Sequence, residues 1–203
     1  MIFITHVFYP QKKRIIGLTG GIGTGKSTVS DYLQQVYNLP VLDADHYARE
    51  VVSKESPILE AIKQRYGSYI LQEDGSLNRS KLGNIIFNRH SEKQWLEQQV
   101  HPDVRQCIET KLSQLSVDSV LVVVPLLFEA KMTDLVTEIW VVYCSPQQQL
   151  KRVMTRDELS ETDARSRIKA QMSLEEKMTL ADVIIDNSGN LSELQQQIDR
   201  ALL

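Results

Sequence analysis

Gly20-Gly21-Ile22-Gly23-Thr24-Gly25-Lys26-Ser27 follows the pattern G-x-x-x-x-G-K-[ST] of a phosphate-binding loop. Its flanks matter as much as the residues themselves. Ahead of it, Ile15-Ile16-Gly17-Leu18-Thr19 is a short apolar run with the length of a buried parallel strand. Behind it, Val29, Tyr32, Leu33 and Val36 recur at i, i+3, i+4 and i+7, which predicts a helix starting just after the loop. Strand, glycine-rich turn and helix is the context in which this pattern holds phosphate. A chance glycine-rich turn has no reason to fit both flanks.

The chemistry follows from the residue types. Gly21, Gly23 and Gly25 let the backbone take positive φ and approach a phosphate closely. Successive N–H groups, with that of Thr24 among them, then face one anion-sized hollow at a helix N-terminus. Lys26 reaches the β- and γ-phosphates, the Ser27 hydroxyl suits Mg²⁺, and Thr28 stands near the α-phosphate. A nucleoside triphosphate site is therefore expected. The loop alone leaves kinase, ATPase and GTPase open.

Composition narrows the class. The 203 residues suffice for one sizeable core with insertions, and a 42% hydrophobic share is ordinary for a soluble globular chain. A net charge of −3 provides no basic field for nucleic acid or anionic membrane. Cys107 and Cys144 lack metal-ligand spacing and read as buried thiols of a reducing compartment, hence a cytoplasmic protein. His46, His90 and His101 show no ligand spacing either. No apolar run approaches a membrane span. Near the start, His6 interrupts the apolar residues and the charges of Lys12-Lys13-Arg14 come late, against the order of a signal peptide. Residues 1–13 are read as an extension ahead of the first strand.

Five β-like runs stand out: Arg14–Thr19, Leu39–Leu42, Ser119–Val124, Glu138–Cys144 and Asp182–Ile185. The third is continuously apolar, as in a strand covered on both faces. Helical patterns lie between them, and this alternation predicts a parallel sheet flanked by helices. The stretch from Asp45 to Val117 is too long for a simple crossover and reads as a helical insertion. Within it, Ser91-Glu92-Lys93-Gln94 has the form of a capping box. Trp95, Leu96, Val100, Val104, Ile108, Leu112 and Leu115 follow as an apolar stripe, which Pro102 is expected to bend or break. The second long stretch, Ser145 to Ala181, is rich in Arg and Lys. Pro146 suits a first helical turn there, and Arg152 and Arg156 share a helix face.

Two carboxylates follow the second strand run. Asp43 and Asp45, read as strand residues two apart, project to one side at the carboxyl edge of the sheet, where α/β ligands bind. Phosphoryl transfer needs a group to orient or deprotonate the attacking hydroxyl, and carboxylates near Mg²⁺. Asp45 also suits a helix N-cap before His46–Glu50. Arg152 and Arg156, with Arg165 and Arg167 behind them, suit a lid that neutralises the transferring phosphoryl; a solvated charged helix face is the other reading. The third strand runs into Pro125-Leu126-Leu127-Phe128-Glu129, where an ordinary ATPase would carry Asp at once. Glu129 either faces the substrate or caps the next segment.

Together these residues resemble the dephospho-coenzyme A kinase family from about Ile15 to Leu194. The matching segments are Ile16–Thr28, Asp43-Ala44-Asp45 with Ala48-Arg49, Asp74-Gly75-Ser76-Leu77-Asn78-Arg79 and His101-Pro102. They continue with Pro125–Glu129, Gln149-Leu150-Lys151-Arg152 with Arg156, Ala181-Asp182 and Asn187. The resemblance implies an α/β fold of the P-loop NTPase type: a five-stranded parallel sheet flanked by helices, with a helical substrate-binding insertion and a lid. It implies a nucleotide-binding core over 14–58, 118–144 and 179–203, a helical CoA-binding domain over 59–117 and a lid over 145–178. The implied reaction transfers the γ-phosphoryl of ATP, with Mg²⁺, to the ribose 3′-hydroxyl of 3′-dephospho-CoA, the last step of coenzyme A synthesis. Carried over by motif, Asp45 is the base, Asp43 serves Mg²⁺ with Ser27, Arg152 is the lid arginine with Arg156 near it, and Asn187 belongs to the adenine pocket. Arg49, Arg79, His101 and Glu129 are implied acceptor-side contacts. A monomer without nucleic-acid or membrane partners is expected. The chain departs from the family in its longer N-terminal extension, in Gln171 following Ala170 rather than Ser, and in ending soon after Leu194, which shortens the expected terminal helix.

Two rivals differ in class. Another nucleotide or small-molecule kinase shares the loop, the Asp and the arginine lid, but not the large insertion with Pro125–Glu129. A GTPase switch would carry Asn-Lys-x-Asp on a late strand, and the run at Glu138–Cys144 has nothing like it.

Overall fold

The computed structural model describes residues 13–203, without the side chains of Phe87 and Asn88. All of the extension expected over 1–13 except Lys13 lies outside the described residues. Strands β1 (Arg14–Gly20), β2 (Val41–Asp43), β3 (Ser119–Val123), β4 (Glu138–Tyr143) and β5 (Val183–Asp186) form one sheet in the order β2-β3-β1-β4-β5. Every pairing is parallel, with Ile16 opposite Leu121 on one side and Glu138 on the other.

The apolar run of β3 explains why the sheet carries two layers. Leu121 and Val123 face one side, and Val120 and Val122 the other, the period of two that a strand imposes. On the first side, Ile16, Leu18, Trp140, Val142 and Ile185 pack against Val29 and Leu33 of α1 (Lys26–Tyr37) and Leu194 and Ile198 of α9 (Leu191–Leu202). On the second, β3 meets Tyr47 of α2 (Ala44–Glu50) and Val104 and Ile108 of α5 (His90–Gln114). Each fully buried Leu, Ile or Val removes roughly 1.5–3 kcal/mol worth of apolar surface from water, enough to hold helices whose own propensity is modest.

A third cluster joins Ile58, Leu59 and Ile62 of α3 (Pro57–Tyr66) to Ile70, Leu77 and Leu82, the last on α4 (Arg79–Asn88). Trp95, Leu96 and Val100 of α5 pack against it. The stripe along α5 thus serves two cores, with Val100 touching both. Beyond β4 come α6 (Pro146–Asp157), α7 (Glu161–Lys169) and α8 (Leu174–Thr179).

Several local expectations change. Pro102 does not break α5; the helix runs through it, because Val100 and Val104 on either side are held in packed cores. Ser91–Gln94 forms no capping box. The helix starts at His90 after Arg89 with no side-chain cap, so Ser91 lies inside its first turn; Glu92 there bonds the Arg65 guanidinium (2.7 and 3.0 Å) and the Tyr66 hydroxyl (2.6 Å). The second strand begins at Val41 rather than Leu39, since Pro40 has no N–H to offer the ladder; its carbonyl still accepts from Leu121 N–H. Cys144 is buried as expected, whereas Cys107 is only partly so.

Candidate functional site

The phosphate loop leaves β1 at Gly20 and enters α1 at Lys26. Gly23 (φ 76°) and Gly25 (φ 97°) hold the left-handed backbone the turn requires. A methyl on Gly25 would collide with the Asn187 amide, whose Nδ2 donates to Thr24 O at 2.8 Å. The buried Thr24 hydroxyl donates back to Gly21 O at 2.9 Å. The two backbone groups of Ile22 are held from outside the loop: Gln149 Nε2 donates to its carbonyl (2.9 Å), and its N–H donates to Gln171 Oε1 (2.8 Å). The loop is therefore braced by α6, by the segment after α7 and by the end of β5 before any phosphate arrives.

Lys26 folds over its own loop and donates to Gly20 O (3.1 Å) and Gly21 O (2.9 Å). Burial, and next the ammonium of Lys177, lower its pKa to about 8; Arg156 pushes the same way, against Asp45 and Asp43.

A cavity of about 1040 Å³ opens above the loop. Its lining brings together Gly23, Gly25, Lys26, Ser27, Asp43, Asp45, Arg152 and Arg156 from the sequence expectations. Asp43 ends β2 and caps α2, its Oδ1 accepting from Asp45 N–H at 2.8 Å. The two carboxylates thus share the cavity for a different reason than expected. Asp45 lies in the first turn of α2 rather than on the strand, and the N-cap is Asp43. Burial and the neighbouring Asp43 raise the Asp45 pKa, while Lys26 and Arg49 pull it down.

Arg152 reaches across the loop, donating to Asn187 O (3.0 Å) and Thr24 O (3.4 Å). Arg156, on the same face of α6, pairs with Asp157. Arg165 and Arg167 point elsewhere, bonding Glu161 and Asp157.

Other expected site residues lie apart. Asn187 sits behind the loop, and Thr28 is exposed on α1. Arg49 and Arg79 line a second cavity of about 560 Å³ with Lys54 and Asn78, where Arg79 donates to Arg49 O (3.1 Å). His101 is half-buried on α5, its pKa lowered chiefly by burial, and borders neither cavity. Glu129 is committed to Lys177 (3.0 Å) and to the N–H of Met172 (3.0 Å). Reasoning from sequence placed Gln149 beside Arg152 and Gln171 after Ala170 but gave neither a role, and it missed Lys177, which no local pattern marks.

Residues 14–193 match the family model for dephospho-CoA kinase. The chain is 56% identical over 193 residues to a dephospho-CoA kinase of Synechocystis, covering 95% of this chain and 96% of the relative. It is 53% identical to that of Trichormus variabilis, covering 94% and 97%. Among solved structures, dephospho-CoA kinase from Campylobacter jejuni superposes with a TM-score of 0.71 at 28% identity, covering 94% of this chain and 96% of that one. A Thermus thermophilus protein reaches 0.80 at 33%, with the same coverage. Shikimate kinase from Bacteroides thetaiotaomicron, at 0.54 and 15%, shares the fold over 93% of this chain and 95% of its own.

Proposed function

The chain belongs to the dephospho-CoA kinase family, and from that premise we propose how its residues carry the reaction. ATP donates its γ-phosphoryl to the ribose 3′-hydroxyl of 3′-dephospho-CoA, giving CoA and ADP. The observation that carries this reading is one cavity bordered by the phosphate loop, Asp43, Asp45, Arg152 and Arg156.

Loop N–H groups and Lys26 hold the triphosphate, and Asn187 stands toward the adenine side of the loop. Asp45 orients the 3′-hydroxyl and takes its proton as the O–P bond forms. Its raised pKa suits it to accept that proton, and Lys26 and Arg49 oppose the rise that burial and Asp43 impose. Arg152 and Arg156 meet the negative charge spread over the transferring phosphoryl. To meet the phosphoryl, Arg152 exchanges its bonds to the Asn187 and Thr24 carbonyls for phosphate oxygens. The segment 145–178 acts as the lid, 59–117 takes the acceptor, and 14–58, 118–144 and 179–203 hold the nucleotide. Arg49 of α2 and Arg79 of α4 offer cationic contacts to the acceptor's phosphates, with His101 on α5 as a further acceptor-side contact. Glu129 belongs to the wall beside the acceptor rather than to its contacts.

Mg²⁺ fits this site. The Ser27 hydroxyl and the Asp43 carboxylate border the same cavity, and the crowding of Asp43 on Asp45 is what a dication relieves. Among the described residues no group of three or more His, Cys, Asp or Glu is arranged to hold a metal. When bound, the ion neutralises charge on the β- and γ-phosphates.

No described helix is long and apolar enough to cross a membrane. A net charge of −3 gives no basic field for a nucleic-acid partner, and the free thiols Cys107 and Cys144 suit the reducing cytoplasm; we read the enzyme as a monomer acting on small molecules. The test is an ADP-release assay with dephospho-CoA, AMP and shikimate as acceptors. Turnover is expected with dephospho-CoA; strong turnover with AMP and none with dephospho-CoA would sink the proposal.

A further inference from the structure

The side chain of Lys177 is wholly withdrawn from solvent. An ammonium tolerates this only where acceptors replace its hydration shell. Lys177 Nζ has them. It donates to Pro125 O at 3.0 Å and lies 3.0 and 3.2 Å from the two Glu129 oxygens. The Pro125 carbonyl is shared with the Thr19 hydroxyl of β1 at 3.2 Å. The Glu129 carboxylate is shared with the Met172 N–H. The stretch leaving β3 is therefore gripped from β1 on one side and from α8, with the segment just before it, on the other.

The position of that stretch matters. Pro125 and Leu126 form a wall of the same cavity that Lys26, Asp43 and Asp45 border. Resting on the reaction proposed above, we propose that Lys177 is a positioning residue for phosphoryl transfer. With Glu129 it latches α8 to the Pro125–Leu126 wall and fixes the distance between acceptor and phosphate loop. The donor side is braced by Gln149, Gln171 and Asn187 on the loop itself, and Lys177 reaches it only through its charge, which lowers the Lys26 pKa to about 8 and leaves Lys26 cationic at pH 7, where the kinetics are read. Loss of the latch should therefore separate the two substrates kinetically.

Lys177→Met removes the ammonium and keeps an unbranched chain of similar length. The ratio of variant to wild type is taken on whichever of dephospho-CoA, AMP or shikimate the wild type phosphorylates, so a wrong acceptor sinks the functional reading and leaves this comparison intact. The expected result is a fall in kcat of roughly 10- to 100-fold, the scale of an ångström of misplacement, with ATP affinity held within about threefold. Glu129→Gln should lower kcat in the same direction, and the double variant should be no worse than Lys177→Met alone. A lowered Tm with kcat and both KM values unchanged would overturn the proposal, because a merely structural pair moves only stability. Should Lys177→Met fail to fold, the partly exposed Glu129→Gln decides, and a kcat within about twofold of wild type overturns it.

Discussion

Lys26 serves two states with one amine. In the free protein it is held by two loop carbonyls, and burial and Lys177 hold its pKa at about 8. It is cationic below that pH and neutral above. The kcat/KM for ATP should therefore fall as pH rises through about 8, while kcat, which reports the phosphate-bound enzyme, holds to higher pH. A stopped assay across pH 7–10 checks this. The same shift has a stability sign. The folded value lies below the ordinary 10.5, so the unfolded chain binds more protons between the two. Stability contributed by this site should rise with pH from about 8 toward 10.5, and Lys26→Met should remove that rise in denaturant titrations. Asp45 invites a separate test. Because Asp43 already caps α2, Asp45→Asn spares the helix start. It should cut kcat by roughly 10²- to 10⁴-fold with ATP affinity retained. A variant with wild-type kcat would leave Asp45 without a role in proton transfer.

Among the elements, the turn from β1 into α1 was the most legible, because a loop of this kind is written almost wholly in local residues. Its tolerance can be measured at Gly25, where φ is 97° and a Cβ would meet the Asn187 amide. Gly25→Ala should cost about 1–2 kcal/mol from backbone strain alone and weaken ATP binding at least about tenfold, read by calorimetry. The far end of α1 is tied to α9 through Tyr32 and Tyr37, both donating to Asp199 (2.9 and 2.7 Å). No local pattern announces that link. Helix α5 shows the opposite failure. Its stripe was legible, yet Pro102 and Ser91–Gln94 pointed to a break and a cap that do not occur. Packing of Val100 and Val104 outweighs the missing hydrogen bond, and the helix begins at His90, which puts Ser91 inside the first turn rather than at the cap.

At the scale of the whole molecule, the phosphate loop, α2 and α6 meet above the carboxyl edge of the sheet, so a bound nucleotide touches several elements at once. ATP at about 100 times its Kd should raise stability by about 2.7 kcal/mol, or Tm by roughly 5–11 °C for a chain of this size. A thermal-shift titration checks this, and Lys26→Met should abolish the shift. The strand runs, the phosphate loop and the residues that resemble dephospho-CoA kinases could all be read before any coordinate. The same holds for Asp43, Asp45, Arg152 and Arg156 as residues of one site. These are local periodicities and short motifs, and they survive in the order of residues alone. Only the tertiary structure decided that Asp43 rather than Asp45 is the cap, that Gln149 and Gln171 clamp Ile22, and that Glu129 answers to a buried Lys177. Each of the last two contacts joins residues dozens of positions apart, and the first turns on whether β2 ends one residue sooner or later; neither distance nor register is carried by a local pattern.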